Sequence, residues 1–270
     1  MLIDTHCHLN LAEHYPDPWT EVAFARKMGV ERLIVIGIDI ESSLIALDLA
    51  ERFEEIYAVI GIHPNHAANY EPSMVHRLES MLQHPKAVAI GEIGLDYHWD
   101  YATREQQYGA LRDQLALADH IGAPVVFHCR EAYGDLLDVL EQRMDHPNRP
   151  GMLLHCFAGD RDDARRAVEL DCHFGVDGPL TFKSAGDFRE LVKTLPRDRI
   201  VVETDSPYLT PVPFRGKPNR PGYVAYVSNM LASLWEVSTE ESAAITTENA
   251  LRFFGQAKLG VSSPIQATAS

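Results

Sequence analysis

The sequence predicts one parallel (β/α)8 TIM barrel, and three observations carry that prediction. The chain has 270 residues, close to the ~250 typical of this fold. Eight short apolar runs can be counted, separated by segments of about 20–30 residues that accommodate a helix and two loops. Five of the runs end in a residue able to bind a metal, as happens where strand ends meet at a barrel mouth. Dividing by ~150 residues per domain would suggest two domains, but barrels exceed that size as one unit.

The candidate strands lie near residues 1–7, 32–38, 56–62, 87–92, 124–128, 152–156, 173–177 and 199–204. Runs of Val, Ile and Leu at this length suit strands buried on both faces. Met1-Leu2-Ile3 leads into Asp4-Thr5-His6-Cys7-His8. Ser43 to Phe53 reads as an amphipathic helix, and the third strand ends in Gly61-Ile62-His63-Pro64. Val88-Ala89-Ile90 leads into Gly91-Glu92. Tyr108, Leu111, Leu115 and Ala118 recur at helical steps, and Gly122 closes that helix. Val125-Val126-Phe127 precedes His128, Met152-Leu153-Leu154 precedes His155, and Ile200-Val201-Val202 ends in Glu203-Thr204-Asp205. Pro207 to Pro221 holds five prolines without periodicity, an irregular loop suited to an active-site wall. Ser238 with Glu241 three residues on is a capping-box signature for a last helix ending near Phe254. Residues 1–255 are expected to form one domain, and 256–270 a frayed tail.

Composition narrows the function. At 46% hydrophobic and 23% charged, the chain has ordinary globular content. Asp and Glu number 39 against 24 Lys and Arg, a net charge of −15, which argues against attraction to duplex DNA or anionic membranes. A phosphate-bearing substrate stays open, because bound divalent cations reverse the local sign. No apolar stretch reaches the ~20 residues of a membrane helix, and no secretory signal is visible. A cytoplasmic protein with no membrane partner is expected; the oligomeric state is left open. There are four cysteines and no CxxC pair. Cys7, Cys129 and Cys156 each follow a histidine, so strand alternation turns them toward the surrounding helices as small, reduced, apolar residues.

His6 and His8 are the sharpest local signal. A lone strand-end histidine is more often structural, but residues i and i+2 point the same way and can converge on one cation. Glu92 ends a buried strand, where a carboxylate is costly unless paired or metal-bound, and its two oxygens suit a bridge between two cations. His128 and His155 end adjacent strands and can share a second cation with Glu92. Barrel closure brings Asp205 to His6 and His8, where it can also orient or deprotonate a water. Glu203, on the same face, can bond ligands, polarise a water or hold a further cation. His63 is expected to touch substrate or to support the ligands. The remaining histidines (14, 66, 76, 84, 98, 120, 146 and 173) read as solvated or locally bonded. Mixed nitrogen and oxygen donors suit Zn, Mn, Co or Ni, and all-oxygen sites suit Mg or Ca. Two such cations serve hydrolysis of phosphodiesters, esters, lactones or amides alike.

Arg130 stands two residues beyond His128, and Arg215, Lys217, Asn219 and Arg220 cluster in the proline-rich loop. In so acidic a chain these suggest an anion site, with Arg and Lys as the usual phosphate partners. Tyr97, Phe157, Phe182, Tyr208 and Phe214 can stack on bases or simply pack.

Taken in order, Asp4-Thr5-His6-Cys7-His8-Leu9, Gly61-Ile62-His63-Pro64, Gly91-Glu92-Ile93-Gly94-Leu95-Asp96-Tyr97, His128-Cys129-Arg130, His155-Cys156-Phe157, Glu203-Thr204-Asp205-Ser206-Pro207-Tyr208-Leu209, Gly216-Lys217-Pro218-Asn219 and Asn249-Ala250-Leu251-Arg252-Phe253-Phe254 resemble the TatD-type metal-dependent deoxyribonucleases. The resemblance spans residues 1 to about 255. It implies a TIM barrel of the amidohydrolase superfamily with two divalent metal ions (Zn, Mn, Mg, Co or Ni). One would be held by His6, His8, Glu92 and Asp205, the other by Glu92, His128 and His155. It implies phosphodiester hydrolysis, often as a 3′ exonuclease. Single-stranded DNA ends are the expected substrate, because a barrel mouth is a hole into which a terminus fits. Asp205 and Glu203 would be catalytic; His63, Arg130, Lys217 and Asn219 would hold substrate. A small-molecule hydrolase of the same superfamily is the alternative, and a non-catalytic metal-binding protein the third reading. Val176-Asp177 departs from the family pattern, where small polar residues are expected.

Overall fold

The short Val-, Ile- and Leu-rich runs form eight parallel strands in the computed structural model, which describes residues 1–147, 149–256 and 258–260. They are β1 Leu2–Cys7, β2 Val30–Ile36, β3 Ile56–Ile60, β4 Ala87–Asp96, β5 Val125–Arg130, β6 Met152–Leu154, β7 His173–Val176 and β8 Ile200–Val202. The sheet order is the chain order. Closure joins the strand ends: Cys7 bridges Ser206, His8 N donates to Ser206 O at 2.8 Å, and Asp205 N donates to His6 O at 2.9 Å. A closed sheet leaves no exposed edge and gathers all eight C-terminal ends at one mouth.

Helices α1 Pro18–Lys27, α2 Ile40–Arg52, α3 Met74–Met81, α4 Arg104–Ile121, α5 Tyr133–Glu141, α6 Arg161–Glu169, α7 Gly186–Val192, α8 Val224–Trp235 and α9 Thr239–Phe254 fill the intervals. Helix α4 begins in a Thr103–Gln106 capping box and ends at Gly122 with φ +66°, as its periodicity predicts. Helix α2 starts at Ile40 rather than Ser43, because Asp39 and Ser42 form a capping box three residues upstream. Before α9, Ser238 Oγ accepts from Glu241 N at 3.1 Å.

One apolar cluster gathers strand residues with the helices around them. A smaller one joins Ile3, Ile34, Ile36, Val59, Val126, Leu153 and Val201 to Ala250, Phe253 and Phe254 of α9. Helix α9 thus caps the end of the barrel opposite the mouth, where Asn249 Nδ2 donates to Ile200 O at 2.7 Å. Leu259 is fully buried in the same cluster, so packing runs past the expected boundary at 255. Of the expected tail, residues 257 and 261–270 lie outside the described residues. Among the described residues, no helix is long and apolar enough to cross a membrane.

Two glutamines of α4 shape the mouth. Gln107 accepts from Asp96 N at 2.8 Å and donates to Asp96 O at 2.9 Å. Gln114 does the same for Ile62, at 2.8 and 3.1 Å. Each buried amide satisfies both backbone groups where a strand gives way to its loop.

Candidate metal centre

The mouth residues converge on Glu92. Its Oε1 lies 2.6 Å from His155 Nε2, 2.9 Å from His128 Nδ1 and 3.7 Å from His63 Nε2. Its Oε2 lies 3.4 Å from His6 Nε2 and 4.0 Å from His8 Nε2. Asp205 Oδ1 completes the near side, 3.3 Å from His8 Nε2 and 3.6 Å from His6 Nε2. The i, i+2 pair on β1 does point one way, and closure brings Asp205 to it. Asp205 takes φ +51° and Cys156 φ +44°, conformations that cost of order 1–3 kcal/mol in a non-glycine residue and turn the chain outward beyond β8 and β6.

Three donor sets lie close enough to share an ion: His6, His8 and Asp205; His63, Glu92 and His128; and His6, His155 and Glu203. The donor chemistry fits a divalent cation. His6 is fully buried, yet neither of its ring nitrogens has a hydrogen-bond partner, and unpartnered buried nitrogens beside carboxylates suit coordination.

Charge balance in the cluster has a clear direction. Burial pushes the Glu92 carboxyl up, but the imidazoles of His155, His6 and His63 outweigh it and hold it well below the usual range. Burial likewise opposes ionisation of Asp205, and the bond to His8 with the charges of His6 and His8 reverses that. Burial alone would lower His155, but Glu92 and Glu203 raise it well above its ordinary value. His63 and His6 are lowered, burial being the larger cause and the neighbouring imidazoles adding to it.

Ring orientation distinguishes two roles among the histidines. His128 Nε2 lies 2.8 Å from Asp96 Oδ2 and Nδ1 2.9 Å from Glu92 Oε1. Burial lowers the ring, but the two carboxylates outweigh it and raise it above its ordinary value. With a cation at Nδ1 the remaining proton would be held on Nε2 by Asp96. His63 Nδ1 accepts from Asn65 N at 3.0 Å. Its neutral ring therefore carries the proton on Nε2, a donor aimed into the mouth rather than an ion ligand.

Glu203 is pinned from both sides: Oε1 accepts from Cys156 N at 2.5 Å and Oε2 from Thr5 Oγ1 at 3.4 Å. A Cβ at Gly175 would stand 2.4 Å from Glu203 Oε2, so only glycine leaves room for that carboxylate. Arg130 and Lys217 are exposed and outside the cluster. Asn219 is buried, and its Nδ2 donates to Thr204 O at 2.8 Å and to Tyr208 O at 2.6 Å. That places it as a brace for the proline-rich loop. Arg220 is turned away, paired with Glu21 at 2.8 Å.

Cysteine placement differs from expectation at one position. Cys7 and Cys129 lie in the core shared with the helices. Cys156 instead donates to Asp177 Oδ2 at 3.3 Å, because β6 ends at Leu154 and strand alternation no longer governs it. Asp177 is buried there, and burial with the charges of Glu203 and Asp205 pushes its carboxyl well above the usual range. All four cysteines are free. Asp96 has no role legible in the sequence; the fold places it in register with Arg130, two residues past His128.

Known proteins resemble this chain over most of its length. The family model for TatD related DNase matches residues 3–255. An uncharacterized metal-dependent hydrolase, YabD, of Bacillus subtilis (strain 168) is 41% identical, over 94% of this chain and 99% of that one. A 3′-5′ ssDNA/RNA exonuclease, TatD, of Klebsiella pneumoniae (strain 342) is 30% identical, over 94% of this chain and 98% of that one. The crystal structure of YJJV, a TatD homolog from Escherichia coli k12, superposes with a TM-score of 0.87 at 32% identity, covering 94% of this chain and 97% of that one.

Proposed function

We infer, from the premise that this chain belongs to the TatD-related DNase family, that it is a metal-dependent hydrolase that cleaves phosphodiester bonds at the 3′ ends of single-stranded DNA. The observation that carries the reading is Glu92, with five imidazoles within 4.0 Å of its two oxygens. Two divalent cations fit that donor set. His6, His8, Glu92 and Asp205 would hold one; Glu92, His128 and His155 would hold the other. When bound, they make a water more acidic at neutral pH and stabilise charge at phosphorus and on the leaving oxygen.

The protein's own groups do the rest. Asp205, held ionised by His8 and His6, accepts the proton of the attacking water. Glu203, fixed by Thr5 and the Cys156 amide, places its carboxylate 3.5 Å from His155 Nδ1 and raises that ring. His63 presents its Nε2 proton to a phosphate oxygen. Arg130, at the end of β5, and Lys217, in the proline-rich loop, meet the approaching strand, which the chain's overall charge of −15 does not attract. The cytoplasmic setting belongs to the same proposal, supported by four cysteines that form no disulfide.

Elemental analysis followed by metal restoration tests this, using end-labelled single strands beside a panel of lactones and phosphotriesters. Metal-dependent shortening from the 3′ end is expected. Intact strands with turnover of a small ester would move the assignment to a small-molecule hydrolase.

A further inference from the structure

Two large aromatic rings on the loop after β4 stand in solvent without an explanation in the fold. Trp99 is 43% exposed and Tyr101 59%. Their ring centroids are 5.7 Å apart and their planes 22° from parallel. His98 meets Trp99 edge-on at 4.7 Å, and the Arg130 guanidinium carbon lies 5.8 Å from the Trp99 ring centre. Tyr97, the aromatic the sequence singled out on this loop, is covered instead: its ring lies under Arg104 at 3.8 Å and its hydroxyl donates to Asp135 at 2.6 Å.

The loop is tied to the metal centre through one residue. Asp96 Oδ1 accepts from His98 N at 2.9 Å and Trp99 N at 3.3 Å, while Oδ2 faces His128 Nε2 at 2.8 Å. One carboxylate therefore orients a candidate metal ligand and fixes the backbone that carries the exposed rings.

We propose that Trp99 and Tyr101, with Arg130, form a stacking platform for the unpaired bases of the strand entering the metal centre, an inference that rests on the nuclease reading above. Overall charge gives this chain little attraction for a phosphate backbone, so affinity must come from elsewhere. Aromatic stacking supplies it for any base whose face is open, at roughly five-fold or more per base. Bases inside a duplex already stack on their neighbours and cannot use such a surface. Arg130 adds a planar cation at its edge. The platform therefore selects single strands by chemistry, independently of the size of the mouth.

Steady-state cleavage by the metal-loaded protein tests the proposal, with a single-stranded dodecanucleotide and with methyl p-nitrophenyl phosphate, a diester lacking bases. W99A and the W99A/Y101A pair should raise KM for the dodecanucleotide roughly ten-fold or more and leave kcat within about two-fold. Hydrolysis of the small diester should not change, and W99F should retain most of the affinity. Replacing the strand's bases by abasic residues should weaken binding to wild type and not to the double variant. An unchanged KM in W99A/Y101A overturns the platform, as does a W99F as impaired as W99A. If wild type cleaves strands normally, those results leave the nuclease reading intact. If wild type hydrolyses the small diester and no strand, the nuclease reading falls and the platform falls with it.

Discussion

Replacing Asp96 with Asn should weaken metal binding by about 10–100-fold without touching a proposed ligand. The His128 ring sits between two carboxylates, Nε2 at 2.8 Å from Asp96 Oδ2 and Nδ1 at 2.9 Å from Glu92 Oε1. Burial pushes Asp96 up, but the bond to His128 outweighs it and keeps the group ionised. A carboxylate only accepts, so Asp96 holds a proton on Nε2, and a cation would then take the place of the proton that faces Glu92 from Nδ1. Asparagine has a single acceptor oxygen. If that oxygen keeps the amides of His98 and Trp99, its NH2 faces His128 and the ring proton moves to Nδ1, where it blocks coordination. If the amide turns over, its NH2 faces two backbone donors, at a cost of about 1–3 kcal/mol. The affinity loss corresponds to ~1.4–2.8 kcal/mol. Competition titration against a chelating indicator measures it, with circular dichroism to confirm folding. A folded D96N that binds metal within about two-fold of wild type would refute the tautomer argument.

Asp205→Asn should keep the fold and lower kcat by about 10²–10⁴-fold; steady-state cleavage measures this, and near-normal turnover removes Asp205 as the proton acceptor. Chelation should abolish hydrolysis, and reloading should release protons, because Glu92 raises His155 against the opposing effect of burial and ligation needs the neutral ring. Calorimetry in two buffers of different ionisation enthalpy counts those protons, and a count of zero contradicts the assignment. Gly175→Ala should lower activity by displacing Glu203, 2.4 Å from the new methyl position; unchanged turnover would show that Glu203 need not stay where it is. Far from the mouth, His173 has no partner for either ring nitrogen, and burial, with Arg252 adding, lowers it from 6.5 to about 4. The unfolded chain binds the extra proton between those values, so this contribution is complete above pH 6.5 and lost as pH falls toward 4. It amounts to roughly 3 kcal/mol. Melting of His173→Phe, which keeps a ring against Phe253, should be less acid-sensitive than wild type; equal acid sensitivity refutes the assignment.

Much of the fold was legible because barrel strands are buried on both faces and read as unbroken apolar runs. Ends were harder to place. β4 runs to Asp96 rather than 92 because glycines carry it past the mouth; at Gly94 a Cβ would stand 1.9 Å from His128 O, so only glycine lets β4 and β5 approach there. β6 and β8 stop early because Cys156 and Asp205 adopt left-handed backbone, which a sequence does not announce in a non-glycine residue. Helix α8 buries Val224, Val227, Leu231 and Trp235 at helical steps, but Tyr226, Met230 and Leu234 on its other positions are apolar too and blur the pattern in the sequence.

The candidate site divides along the same line. His6, His8, Glu92, His128, His155 and Asp205 could be nominated together because each follows an apolar run, and strand ends in a barrel must meet. Residues whose part depends on which way a side chain turns could not. Asn219 sits in a loop that looks ready for phosphate, yet its amide closes three hydrogen bonds within the chain. Asp96 and Trp99 lie beyond the apolar run and mean nothing until β4 is seen to continue in register with β5, with Asp96 opposite Arg130. Strand ends thus report which donor atoms gather at the mouth, while the loops around them are set by cross-strand pairing and backbone handedness. That is why the reaction class could be read from residue order and the proposed stacking platform only from the folded mouth.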